Sequence, residues 1–140
     1  MHGLLYADLP LAADPWCNAK VNTLANVLIV AVALLHLWFL TLEIFLWTKP
    51  TGMAAFKTTP EFAKASSVLA ANQGIYNGLY AVGLLAAVFL LEGTAAFSIK
   101  AYILGCITIA GIYGGITVSP RILVIQTIPA VVALVLLLVR

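Results

Sequence analysis

Apolar residues run almost uninterrupted through four stretches of the chain, Val21 to Trp47, Ser67 to Leu91, Ile99 to Val118 and Ile122 to Val139. A helix that crosses a bilayer needs about 20 mostly apolar residues, each adding about 1.5 Å of length. Each stretch meets or nearly meets that requirement. The alternation of membrane barrel strands is missing, and backbone in lipid must satisfy its own hydrogen bonds, which leaves the helix as the spanning form. The pattern predicts an all-α fold, a four-helix transmembrane bundle with short loops over residues 21–140. Residues 1–20, broken by Asp8, Pro10, Asp14 and Pro15, read as a surface segment rather than a secretory signal, with Trp16 suited to the headgroup level.

The polar positions mark the connections. Thr48 to Ser66 is the longest and carries Lys49, Pro50, Gly52, Lys57, Pro60, Glu61 and Lys64, so it lies outside hydrocarbon. Lys49-Pro50 is expected to end the first helix. Thr58 and Glu61 have capping-box spacing and Pro60 suits a first turn, which predicts a surface amphipathic turn before the second long helix. Glu92-Gly93-Thr94 and Ser119-Pro120-Arg121 allow tight returns, and short links make neighbouring helices antiparallel. Pro129 should kink the fourth stretch.

Composition strengthens the membrane reading, with 64% hydrophobic and only 9% charged residues. A net charge of +2 and seven scattered Lys and Arg residues exclude a nucleic-acid partner. Lys20, Lys100 and Arg140 fall at one end of the helices and Lys49, Lys57, Lys64 and Arg121 at the other. That bias of four to three places the long loop in the cytoplasm and the termini outside. Cys17 and Cys106 are far apart and lack Cys-x-x-Cys spacing, so Cys106 reads as a buried inert thiol. No cofactor motif occurs, and two histidines, one of them His2 near the terminus, do not make a metal site.

The candidate chemistry lies in the polar residues inside the apolar runs. An intramembrane carboxylate is a functional-site hypothesis by default, and Glu43 shares a helix face with His36, about two turns away. Glu43 is the candidate acid/base and His36 its candidate proton partner. On the second long helix Gln73, Asn77 and Tyr80 share a face, Tyr76 borders it and Asn72 lies further round, while Gly74 and Gly78 fall on another face that permits close packing. Depth arithmetic sets Asn72 and Gln73 level with Glu43 and brings Asn77 near His36. Tyr113 and Gln126 fall in the same half, whereas Val82 to Leu91 and Val131 to Val139 are aliphatic. This asymmetry predicts a polar cavity open toward the Thr48 to Ser66 side and plugged at the other. Asn72, Gln73, Tyr76, Asn77, Tyr113 and Gln126 are the candidate ligand-binding residues.

Each of these residues also has a plainer reading. Asn and Gln in membrane bundles often only bond neighbouring helices, at about 0.6–2 kcal/mol each, and Glu43 is shallow enough to reach headgroups or Lys49. Gly111 and Gly115 repeat the Gly-x-x-x-Gly spacing, which internal packing explains as well as dimerisation does. Trp38, Phe39, Phe45 and Trp47 read as lipid-facing or interfacial aromatics.

The run His-Leu-Trp-Phe-Leu-Thr-Leu-Glu-Ile-Phe-Leu-Trp-Thr-Lys-Pro from His36 to Pro50, Thr-Pro-Glu-Phe at Thr59 to Phe62 and Ala-Asn-Gln-Gly-Ile-Tyr-Asn-Gly at Ala71 to Gly78 resemble a family of small bacterial and fungal membrane proteins. That family is catalogued as domain of unknown function thirteen-oh-four. The resemblance covers residues 24–140, leaving the first twenty as an extension. It implies a four-helix membrane fold and marks Glu43, Asn72, Gln73, Tyr76 and Asn77 as signature positions. It brings no established activity, although some members carry an epimerase label.

Two functions follow as expectations. One is a cofactor-free isomerase-like or epimerase-like enzyme, or a binding protein, for a lipid-like small molecule that enters from the bilayer. The alternative is a non-catalytic accessory subunit of a larger membrane complex or a self-associating homo-oligomer. A transporter is disfavoured by small size and the lack of an internal repeat. The expected location is the bacterial inner (cell) membrane, as an integral multi-pass protein.

Overall fold

The computed structural model describes residues 15–139. Within them α1 spans Pro15–Ile44, α2 Pro50–Phe56, α3 Pro60–Phe89, α4 Gly93–Thr117 and α5 Ile128–Leu138, with a π-helical segment, Leu123–Thr127, leading into α5. The all-α expectation holds, but the described residues contain five α-helices rather than four. His2, Arg140 and the acidic and proline residues before Pro15 lie outside the described residues, as do the side chains of Trp16 and Cys17.

The long helices form a closed ring in which α1 packs on α3 and α5, and α4 packs on α3, α5 and the π segment. Their shared core comprises Ile29, Val32, Ala33, Ala81, Leu84, Ile103, Leu104, Ile107, Ala130, Ala133 and Leu137. Alanines are interspersed with branched side chains there, which lets the helices approach closely. Two helical segments, Ala19–Ile44 and Gly93–Thr117, are long and apolar enough to cross a membrane. The 30-residue α3 is not among them, because Asn72, Gln73, Tyr76, Asn77 and Tyr80 lower its hydropathy.

The extra helix arises where the sequence predicts only a loop and a surface turn. α1 stops at Ile44, and the Phe45 and Leu46 amides both donate to the Thr41 carbonyl, at 3.1 and 3.2 Å. Pro50 therefore does not end α1; it opens α2 at a first-turn position, where its missing N–H costs nothing. Gly52 is buried against the backbone of Leu46 and Trp47, leaving no room for a side chain. The cap of α3 is Thr59, not Thr58: its hydroxyl accepts from the Phe62 amide at 3.3 Å, with Pro60 next. Pro129 acts as expected in kind but not in form, since the distortion before it is a π-helical turn that accommodates the missing donor.

Candidate functional site

α1 and α3 run antiparallel in a register set by small residues. A side chain on Gly74 would meet Ile44 Cγ1 at 2.7 Å and Glu43 Cβ at 3.2 Å, and one on Gly78 would collide with Leu40. The two glycines thus receive α1 side chains. In this register Asn77 lies opposite Glu43, and its Nδ2 donates to Glu43 Oε2 at 2.7 Å, with both residues buried. The sequence expectation was one helical turn out. Asn77 is level with Glu43 rather than His36, and it lies beside the glycines on the α1-facing side. Asn72 and Gln73 sit a turn nearer α2, which follows from Gly74 docking on Ile44.

His36 is fully buried and does not meet Glu43. Its Nδ1 lies 2.8 Å from the Val32 carbonyl, and its ring stacks edge-on with Phe39 and Tyr80, at centroid distances of 5.6 and 6.3 Å. The remaining ring nitrogen, Nε2, is buried without a hydrogen-bond partner. Gln126 is half-buried and directs Nε2 at the Ile107 carbonyl over 3.4 Å, linking the π segment to α4. Trp47, expected at the interface, is half-buried and donates its Nε1–H to Ser66 Oγ at 3.1 Å.

Asn72, Gln73, Tyr76 and Tyr113 are exposed. Asn72, Tyr76 and Gly83 share one stripe of α3 by their spacing of four and seven. At Gly83 that stripe is closed by Ile103 of α4; at Tyr76, 53% exposed, it is open. On α4 the corresponding stripe passes from buried Ile103 to exposed Ala110 and Thr117. Toward the α2 end α3 therefore has an exposed flank that carries Asn72, Gln73 and Tyr76, and Tyr113 is exposed on α4. Gln73 precedes Asn77 by one turn and is exposed, whereas Asn77 is buried against α1.

The opposite end departs from the aliphatic plug that the sequence predicts. Lys100 of α4 is only 5% exposed, and its Nζ donates to Asn26 Oδ1 of α1 at 2.9 Å. Both border an open cavity of about 560 Å³ together with Val88, Leu91, Glu92, Thr94 and Phe97. Val82 to Leu91 is indeed apolar, but the polar groups of this end come from α1 and α4. The signal was a lysine two turns inside a helix that starts at Gly93; taking the third stretch from Ile99 turned it into a flanking charge. Among the described residues no cluster of three or more His, Cys, Asp and Glu side chains is placed to hold a metal ion.

The family model described as protein of unknown function (DUF1304) matches residues 30–138. The chain belongs to the DUF1304 family. The uncharacterized protein YpaA of Lactococcus lactis subsp. lactis is 34% identical over 117 residues, covering 82% of this chain and 97% of YpaA. No solved structure matches. The DUF1304 region contains Glu43, Asn77, the exposed α3 flank, Lys100 and Gln126, whereas Asn26 precedes it.

Proposed function

We propose that this DUF1304 protein is an integral, multi-pass membrane protein that holds the polar group of an amphiphilic small molecule against the outer flank of α3. The observation that carries this reading is the buried Asn77–Glu43 hydrogen bond on the α1-facing side of α3, one turn from exposed Gln73. A polar side chain facing lipid is costly unless it finds a partner. Asn72, Gln73 and Tyr76 present three such side chains within two turns of α3, and an amphiphile entering sideways supplies partners for them. Glu43 lies one side chain further in. It is the one ionisable residue of this pair and the natural acid/base if the bound molecule is isomerised or epimerised. His36 is packed elsewhere and serves α1–α3 packing.

A proton-transferring Glu43 leaves a specific mark. Protein extracted in mild detergent with its bound amphiphile and incubated in deuterated water should incorporate deuterium into that molecule, and Glu43→Gln, which retains an acceptor for Asn77, should abolish incorporation while the protein stays folded. Equal incorporation by the variant overturns the catalytic part of the reading. The second reading, a structural subunit, is favoured by the way Gly74, Gly78 and the Asn77–Glu43 bond lock α1 to α3. A stable hetero-complex without a bound small molecule would establish it instead.

A further inference from the structure

We infer that the α2 end of the bundle is an anchoring surface for anionic phospholipid headgroups. The inference rests on the membrane placement proposed above and is independent of the Glu43–Asn77 pair and of the amphiphile on the α3 flank. Four of the seven Lys and Arg residues lie at this end. Lys49 and Lys57 flank α2, Lys64 lies in the second turn of α3, and Arg121 lies in the link between α4 and the π segment. All four are exposed, and none has a side-chain hydrogen bond or ion pair among the described residues. Glu61 is the one exposed carboxylate set against them among the described residues of this end. Clusters of about four or more Lys and Arg beside membrane-spanning helices are drawn to acidic lipid.

The fold holds this charge in place. α2 has seven residues, so Lys49 and Lys57 stand about 12 Å apart along it. At one end the Lys49 amide donates to the Leu46 carbonyl and the Lys49 carbonyl accepts from the Met53 amide, both at 3.0 Å. At the other the Lys57 amide donates to the Met53 carbonyl from left-handed backbone, φ 54°. Gly52 lies against the backbone of Leu46 and Trp47, and Phe56 packs on Trp47 with ring centroids 4.8 Å apart, which fixes α2 to the end of α1. Phe45, Phe56 and Phe62 are exposed beside the cations in the chain. Rings next to ammonium groups suit the boundary of headgroups and acyl chains, where the ring enters the apolar layer and the cation meets a phosphate. The excess of cations decides the headgroup: a zwitterionic lipid leaves it unbalanced, whereas phosphatidylglycerol brings a net negative charge. A soluble polyanion offers charge but no apolar layer for the rings.

The test reconstitutes the full chain, with Trp16→Phe and Trp38→Phe leaving only Trp47 as a reporter at this end, in phosphatidylcholine vesicles doped with dibrominated phosphatidylglycerol or dibrominated phosphatidylcholine, whose bromines quench a neighbouring indole. Flotation is measured first, and a chain that does not float with the vesicles overturns the membrane placement and this inference together. At low salt the phosphatidylglycerol should quench Trp47 at about fivefold lower mole fraction than the phosphatidylcholine, and added salt should shrink the difference. The combined Lys49→Gln, Lys57→Asn and Lys64→Gln variant should lose the preference; asparagine is chosen at 57 because it tolerates left-handed backbone. Lys20→Gln, at the other end of α1, and Glu43→Gln should both keep it, which separates this surface from the α3 flank. If the tryptophan replacements disturb folding, native mass spectrometry of the otherwise unaltered chain and the lysine variant, titrated with both lipids, reads the same preference. Equal association of the two lipids, a preference that survives in the lysine variant, or its loss to inorganic phosphate at constant ionic strength would overturn the assignment.

Discussion

Glu43 and Asn77 are both buried and satisfy each other through a hydrogen bond between α1 and α3. A buried acceptor that loses its donor costs about 1–3 kcal/mol, whereas exchanging one acceptor for another costs less. Asn77→Ala should therefore lower the melting temperature in detergent clearly more than Glu43→Gln, and equal losses would mean that the 2.7 Å bond contributes little. Both residues were legible as unusual because polar side chains stand out in apolar runs. Their partnership was not, because it depends on which residues of α3 face α1, and that is decided by the space that Gly74 and Gly78 leave for Ile44 and Leu40. The burial of Lys100 was hidden for a related reason: a charge near the end of an apolar stretch reads equally as an anchor at the surface or as a group turned inward.

The same close packing governs the helices as elements. Gly74 has α1 side chains within 3.3 Å of where a Cβ would stand, whereas Gly105 of α4 has nothing within 4 Å. Gly74→Ala should thus cost about 1–3 kcal/mol by overpacking, while Gly105→Ala should gain about 0.5–1 kcal/mol from the better helix propensity of alanine. Opposite shifts in melting temperature check this, and shifts of the same sign would place the α1–α3 contact elsewhere. The long helices were readable from their apolar runs, since length alone separates them from strands. The seven-residue α2 and the five-residue π segment were not, because proline marks a helix start, a stop or a distortion with the same letter, and only the surrounding backbone selects among them. Pro50 starts α2, Pro60 starts α3, and Pro129 follows the π turn.

For the whole molecule, antiparallel helices place two unlike polar regions at opposite ends. Near α2, α3 carries exposed uncharged side chains and, on its α1-facing side, the partner of a buried carboxyl; at the other end a lysine and a glutamate border one cavity. The division between polar and aliphatic halves that the sequence implied holds for α3 and α5 and fails for α1 and α4. Membership in DUF1304 covers both regions without assigning either a role. We propose that the exposed flank of α3 holds an amphiphile, and native mass spectrometry of the protein released from mild detergent decides whether it does. The unaltered protein should carry a discrete small-molecule adduct, and the combined Asn72→Ala, Gln73→Ala and Tyr76→Phe variant should lose it while keeping its helical content. An adduct retained at the same occupancy by that variant would mean that the α3 flank does not hold the amphiphile.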